Sequence, residues 1–145
     1  MSHTYIWPLS HGFNDGDSVV MKGSLPSEGI RFDINFHTDS SADDGDILFH
    51  MSNRYGVGHD QIVFNTREEN VGWLTEEIYN GTGALAPGTF FTISIVLSGD
   101  QFSIAINGHH FANFNVRQST SFIRYLSITG EVELSSITLA QMTSK

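Results

Sequence analysis

Apolar and polar residues alternate with a period of two along most of this chain. The pattern is clearest in four segments, RFDINFHT (31–38), DILFHMSNRY (46–55), FFTISIVLSG (90–99) and QFSIAING (101–108). Successive side chains of an extended strand point to opposite faces, so each segment predicts a strand with one buried and one wetter face. The N-terminal YIWPL and C-terminal ELSSITLAQ segments are predicted to run as outer strands.

Turn sequences separate the predicted strands. Ser98-Gly99-Asp100 and Asn107-Gly108 stand where tight hairpins are expected. A series of about ten short strands with no intervening helix favours two packed antiparallel sheets. We therefore predict an all-β fold, a two-sheet antiparallel β-sandwich of the jelly-roll type, in a single domain over residues 1–145.

Composition narrows the classes of function. The formal net charge is -9, which repels phosphate backbones, so we expect no nucleic-acid partner. No apolar stretch approaches the roughly 18 residues of a membrane helix, so we expect no membrane insertion. The absence of cysteine excludes disulfides and thiolate zinc sites. The N-terminal segment has neither the basic nor the apolar region of a secretory signal, and no signal peptide is predicted.

Polar side chains with binding chemistry collect on the wetter face of the 46–55 strand. His50, Ser52 and Arg54 point the same way, about 6–7 Å apart per two residues. The next strand brings Asn65. Further along, Trp73 and Glu76 are three residues apart, which breaks strict alternation, so a bulge or a strand entry must bring both side chains to one face.

This combination suits a neutral sugar. The C–H face of a sugar ring can lie on an indole, while its hydroxyls, each both donor and acceptor, need charged or amide partners. A guanidinium is a planar fork that can distinguish one hydroxyl geometry from another.

The spacing of these residues resembles the galectin motif, which has the form H-x-N-P-R, then V-x-N, then W-x-x-E-x-R. The corresponding residues of this chain are His50-Met-Ser52-Asn-Arg54, Val63-Phe-Asn65 and Trp73-Leu-Thr-Glu76-Glu-Ile78. The resemblance extends to the early strands (18–36), the central stretch (85–117) and SITGEVELSSI (127–137), which is similar to the family's final hairpin. The chain is thus similar to a single-domain, invertebrate-like galectin, with a galectin/concanavalin-like sandwich.

The resemblance implies a role for each residue. His50 and Arg54 would hydrogen-bond the axial O4 of galactose, the atom that separates galactose from glucose. Asn65 and Glu76 would hold O6, with Glu76 also orienting Arg54, and Trp73 would stack on the sugar. The implied function is metal-independent binding of β-galactosides, of lactose or N-acetyllactosamine type, on a concave sheet face without a cofactor.

Two positions depart from the family pattern. Ser52 stands where galectins usually have asparagine, and its shorter side chain is expected to reach the sugar only through water. Ile78 stands where they usually have an arginine that contacts the second sugar. We expect a different preference at the neighbouring sugar and weaker binding of lactose.

Alternative functions stay open on the sequence. A jelly-roll glycoside hydrolase needs two facing carboxyl groups about 5–9.5 Å apart, but only Glu76 belongs clearly to this site. A galectin-like protein-interaction module without sugar binding is the other alternative. The seven histidines lack metal-ligand spacing, so no metal site is expected.

The resemblance also suggests how the whole molecule would work. Galectins are made in the cytosol and often leave the cell by a non-classical route, so a cytosolic or extracellular location is expected. Because a shallow sugar site is weak, cross-linking of glycoproteins would require a homo-oligomer.

Overall fold

The computed structural model describes residues 2–142, whose strands form two antiparallel sheets. The predicted domain also includes residues 1 and 143–145, which lie outside the described residues. The larger sheet has seven strands: β1 (His3–Pro8), β3 (Arg31–His37), β4 (Ile47–Arg54), β5 (Gln61–Glu68), β6 (Gly72–Trp73), β7 (Glu77–Asn80) and β11 (Tyr125–Gly130). The smaller sheet has five: β2 (Ser18–Ser24), β8 (Phe90–Ser98), β9 (Gln101–Ile106), β10 (His109–Asn115) and β12 (Glu133–Ala140).

The order of the strands confirms the predicted all-β sandwich. The larger sheet runs β1-β11-β3-β4-β5-β6, with β7 also paired to β5, and the smaller runs β10-β9-β8-β2-β12. The first and last strands therefore lie at sheet edges, as the sequence predicts. Among residues 2–142 the helical segment is a three-residue 3-10 turn, Thr120–Phe122, so no helix there is long and apolar enough to cross a membrane.

One apolar core lies between the sheets and is built from alternate strand positions. Along β8 the buried residues are Phe91, Ile93, Ile95 and Leu97, with more exposed residues between them. At the centre Phe49 packs against four other phenylalanine rings at centroid distances of 4.8 to 6.2 Å, those of Phe36, Phe64, Phe102 and Phe114. The face of β4 that carries Phe49 is thus fixed by the core, which turns the opposite face outward.

Both predicted hairpins are present. Ser98 pairs with Gln101 across the first turn, and Ile106 pairs with His109 across the second. Asn107 and Gly108 both have positive φ, 52° and 83°. That is the conformation of a type I′ turn, whose twist matches that of the flanking strands.

The strands depart from the predicted pattern in β4. The register of β4 shifts between Ile47 and His50, so the consecutive residues Leu48 and Phe49 both belong to the core. Ile47, predicted to share the core face with Phe49, is buried but lies outside that cluster. A bulge of this kind inserts an extra residue and reverses the faces on one side of it.

The predicted final hairpin is wrong. β11 pairs with β1 and β3, whereas β12 pairs with β2 of the other sheet, so the chain crosses between sheets after Gly130. Gly130 has a φ of 133°, and a Cβ added there would lie 2.6 Å from the carbonyl oxygen of Arg31. Only glycine fits this exit from the larger sheet.

Candidate functional site

Strand β4 carries His50, Ser52 and Arg54 on the face that turns away from the core. Its neighbours in the sheet are β3 and β5, and the register sets Asn35 of β3 and Asn65 of β5 on either side of His50. In antiparallel sheets directly paired residues share a face. A polar row of Asn35, His50 and Asn65 therefore crosses the outer face of the larger sheet.

A concavity of about 380 Å³ lies on this face. Its lining residues are Arg31, His50, Arg54, Asn65, Trp73, Leu74 and Glu76. We call it the β4–β5 concavity. Five of the six residues that the sequence predicted for sugar binding line it, and Ser52 does not.

Trp73 and Glu76 reach the concavity through a break in strand pairing. Trp73 ends the two-residue strand β6 and is 48% exposed, and Glu76 lies in the link before β7. The spacing of three is thus accommodated by a strand entry. The Trp73 ring lies 4.5 Å from that of His50, and Cζ of Arg67 lies 5.6 Å from its centroid. The indole is held in place and is still half open to solvent.

His50 is a neutral imidazole with a defined tautomer. Burial lowers its pKa from 6.5 to about 4, with Asp33 opposing that shift and Arg31, Arg54 and Arg67 reinforcing it. Its Nδ1 lies 2.6 Å from Oδ1 of Asn35. An amide oxygen only accepts, so Nδ1 carries the proton and Nε2 is left as a hydrogen-bond acceptor.

Ser52 orients Arg54. The serine is fully buried, and its Oγ accepts a hydrogen bond from Nε of Arg54 at 3.3 Å. With Nε used in this way, Nη1 and Nη2 of Arg54 make no hydrogen bond with the residues that the structure describes. A water-mediated contact between Ser52 and a sugar stays a prediction, whereas its contact with Arg54 is present.

Both polar atoms of the Asn65 side chain already have protein partners. Oδ1 accepts from the backbone N–H of Thr66 at 2.7 Å and from Nη1 of Arg117 at 3.0 Å. Nδ2 donates to the carbonyl oxygen of Leu74 at 3.0 Å. An amide nitrogen has two hydrogens, so one N–H of Asn65 is left for a ligand.

The expected ion pair between Glu76 and Arg54 is wrong. Within residues 2–142 the salt bridges are Arg31–Asp33 at 3.0 Å and Arg117–Glu77 at 3.1 Å. Arg54 ends β4, whereas Glu76 lies beyond β5 in the β6–β7 link, so the two line the same concavity from separate elements. Ser52, rather than Glu76, accepts the hydrogen bond that Nε of Arg54 donates.

Several residues of the site were not found from the sequence. Two of them come from β3. Asn35 accepts a hydrogen bond from His50, and Arg31 lines the concavity. Arg67 stacks on Trp73 and donates hydrogen bonds to the carbonyl oxygens of Ala42 and Gly45. The alternation shows that these side chains lie on the outer face, but only strand register reveals their partners.

In the part of the chain that the structure describes, no metal-ion site lies near the concavity. No three histidine, aspartate or glutamate side chains there are grouped as metal ligands. A neighbouring concavity of about 410 Å³ has an acidic lining that includes Asp46, Glu68 and Glu69 and lacks an aromatic ring. Of these two concavities, only the β4–β5 concavity combines an aromatic ring with side chains that donate and side chains that accept hydrogen bonds.

The family is decided by a match that spans nearly the whole chain. The family described as galactoside-binding lectin matches residues 4–139. The chain belongs to the galectin family.

Similar proteins agree with this membership. The chain is 35% identical to Galectin-6 of Mus musculus over 132 residues, which cover 90% of this chain and 42% of that protein. It is 32% identical to a 32 kDa beta-galactoside-binding lectin of Caenorhabditis elegans over 130 residues, 89% of this chain and 45% of that lectin. This galectin chain thus spans less than half the length of these curated relatives.

A solved structure supports the fold. Sheep Galectin-11, in complex with glycerol, superposes with a TM-score of 0.84 over 95% of this chain and 98% of that one, at 20% identity. Galectins are lectins that bind β-galactoside glycans, and they are not enzymes. Membership therefore removes the glycoside-hydrolase alternative.

Proposed function

We propose that this galectin binds terminal β-galactosides of lactose or N-acetyllactosamine type in the β4–β5 concavity, on the concave face of the larger sheet. The observation that carries the proposal is one concavity lined by a half-exposed indole, a neutral imidazole, a guanidinium and a carboxylate. The described residues 2–142 form one sandwich, and we propose that residues 1–145 are a single carbohydrate-recognition domain.

The axial O4 of galactose would be held between His50 and Arg54. Nε2 of His50 accepts a hydrogen bond, and the free Nη groups of Arg54 donate. A hydroxyl placed between an acceptor and a donor satisfies both. An equatorial O4 would leave them without a partner, and an unpaired buried polar group costs about 1–3 kcal/mol.

The O6 hydroxyl would lie between Asn65 and Glu76. The remaining N–H of Asn65 donates, and the carboxylate of Glu76 only accepts. A single hydroxyl can accept from the amide and donate to the carboxylate. The galactose ring would then rest on the exposed face of Trp73.

The proposal is tested by chromatography on immobilised lactose in the presence of EDTA. We expect the chain to be retained and to be eluted by free lactose, because none of the proposed contacts needs a metal ion. Arg54→Lys, which keeps the charge but loses the fork, should not be retained. Failure of the unaltered chain to bind would refute the proposal and favour a protein-interaction module.

Cross-linking of glycoproteins is a further part of the proposal. A chain that offers one galactoside site bridges two glycans only within an oligomer, so we propose a homo-oligomer. Light scattering measures the mass of the purified chain in solution and so tests whether it forms an oligomer. As for other galectins, we propose action in the cytosol or outside the cell after non-classical secretion.

A further inference from the structure

Arg117 connects the smaller sheet to the β4–β5 concavity. It lies two residues beyond the end of β10, and its guanidinium reaches the edge of the larger sheet. Nη1 donates to Oδ1 of Asn65 at 3.0 Å, and Nη2 donates to the carbonyl oxygen of Thr75 at 2.7 Å and to Oε2 of Glu77 at 3.1 Å. Its Cζ lies 4.9 Å from the centroid of the Phe114 ring.

The first of these contacts, together with two backbone contacts, fixes the orientation of the Asn65 amide. A guanidinium and a backbone N–H only donate, so both must face the oxygen of that amide. The carbonyl oxygen of Leu74 only accepts, so it must face the nitrogen. A flipped amide would set donors against donors on one side and acceptors against each other on the other side. Asn65 therefore presents an N–H, and not a carbonyl, to a ligand.

The other contacts hold the link that carries Glu76. Thr75 and Glu77 are its two neighbours in the chain, and Arg117 binds the backbone of one and the side chain of the other. Glu76 itself is exposed and makes no hydrogen bond with the described residues. Its carboxylate is positioned by this link, and Arg117 itself does not line the concavity.

We infer that Arg117 is the positioning residue for recognition of the galactose 6-hydroxyl, because it sets the donor of Asn65 and the link that bears the acceptor of Glu76. The inference rests on the proposed galactoside site. The charge of Arg117 has a second effect. A charge-assisted hydrogen bond to the oxygen of the Asn65 amide polarises that amide and makes its remaining N–H a stronger donor.

The test compares two sugars that differ only at that hydroxyl, methyl β-D-galactopyranoside and its 6-deoxy analogue. Calorimetry on the unaltered chain should give a Kd ratio of at least about tenfold in favour of the 6-hydroxyl sugar. In Arg117→Met the ratio should fall to within about threefold of unity, since the amide loses its charged partner and the link that bears Glu76 loses its hydrogen bonds at Thr75 and Glu77. Gln118→Met is the matched control. It removes the neighbouring hydrogen bond to Glu68 and should leave the ratio unchanged.

The outcomes separate this inference from the proposed function. If the unaltered chain binds neither sugar, the galactoside site is refuted and the inference falls with it. If it binds both equally, or if Arg117→Met weakens both by the same factor, Arg117 does not act on the 6-hydroxyl and the inference is overturned while the site stands.

A second variant covers the case in which Arg117→Met does not fold, which thermal unfolding would reveal. Arg117→Lys keeps the charge, but an ammonium donates from one point and cannot serve Asn65 and Thr75 together. Its ratio should fall at least about threefold below that of the unaltered chain. An unchanged ratio would overturn the inference.

Discussion

The two tryptophans of the chain have different surroundings. Trp73 is 48% exposed beside His50, whereas Trp7 lies in β1, stacked on Tyr5 and packed against the core. The first offers its ring to solvent and the second uses its ring for packing. The same substitution at the two positions should therefore separate binding from stability.

Trp73→Ala should weaken lactose binding at least about tenfold, because the sugar loses its apolar platform. It should change the free energy of unfolding by less than about 1 kcal/mol. Trp7→Ala should do the opposite, costing about 2 kcal/mol of stability and leaving the lactose Kd within about twofold. Calorimetry and urea unfolding measure both. Equal loss of lactose binding in the two variants would contradict the assignment of Trp73.

His50 should make the stability of the chain depend on pH. Its pKa is about 4 in the folded chain against an ordinary value of 6.5, so between those values only the unfolded chain takes up the proton. The free energy of unfolding should therefore fall as the pH drops, by about 2 kcal/mol from this residue between pH 7 and pH 4.5.

The His50→Gln variant isolates this effect. Urea unfolding at the two pH values should show a smaller loss of stability in the variant than in the unaltered chain. His37, whose pKa burial also lowers, is present in both proteins and does not affect the comparison. The same pH dependence in both proteins would show that His50 is not held neutral.

A substitution at Ile78 can test contact with the neighbouring sugar. It is 57% exposed in β7, two residues after Glu76. Ile78→Arg should tighten lactose binding several-fold, on the order of one charge-assisted hydrogen bond. Val96→Arg adds the same charge on the smaller sheet and should leave the lactose Kd unchanged. No gain from Ile78→Arg in a lactose titration would count against a second-sugar contact at this position.

At the scale of the elements, the core side of β4 fixes the binding side. Phe49 is fully buried among four rings and precedes His50 directly. Phe49→Leu should reduce the free energy of unfolding by about 1–3 kcal/mol, because part of the ring volume is left unfilled. Phe90→Leu alters a residue that is 84% exposed and should change it by less than about 0.5 kcal/mol. Urea unfolding of both variants checks this, and equal effects would contradict the packing.

The long strands could be predicted from the sequence because each buries one face. The predicted segment 90–99 appears as Phe90–Ser98, and 101–108 appears as Gln101–Ile106 with its turn. The short strands β6 and β7 have two and four residues, too few for a period to be visible. The fold class therefore followed from alternation, while the number of strands did not.

The site was predictable in its types of residue but not in its contacts. His50 and Arg54 share a strand, so alternation alone sets them on one face. The pairing of Asn35 with His50 depends on the register across the loop 38–46, which no short turn fixes. Arg117 reaches Asn65 across 52 positions, and the expected Glu76–Arg54 pair failed because such distances are set by tertiary packing.

At the scale of the molecule, the net charge of -9 should contribute little to the strength of sugar binding. The proposed ligand is neutral, so long-range attraction contributes little and salt should hardly change the affinity. An open site with a few hydrogen bonds and one stacking contact predicts a Kd on the order of mM to μM for a single sugar. Tighter binding to a glycoprotein would have to come from several linked sites.

Calorimetry with lactose and cellobiose tests the central claim most directly, because these disaccharides differ only in the configuration of C4 in the non-reducing sugar. The contacts proposed for His50 and Arg54 predict that lactose binds in the mM to μM range and that cellobiose binds at least about tenfold more weakly. Equal binding of the two sugars, or no binding of either, would contradict the claim that this concavity recognises an axial hydroxyl.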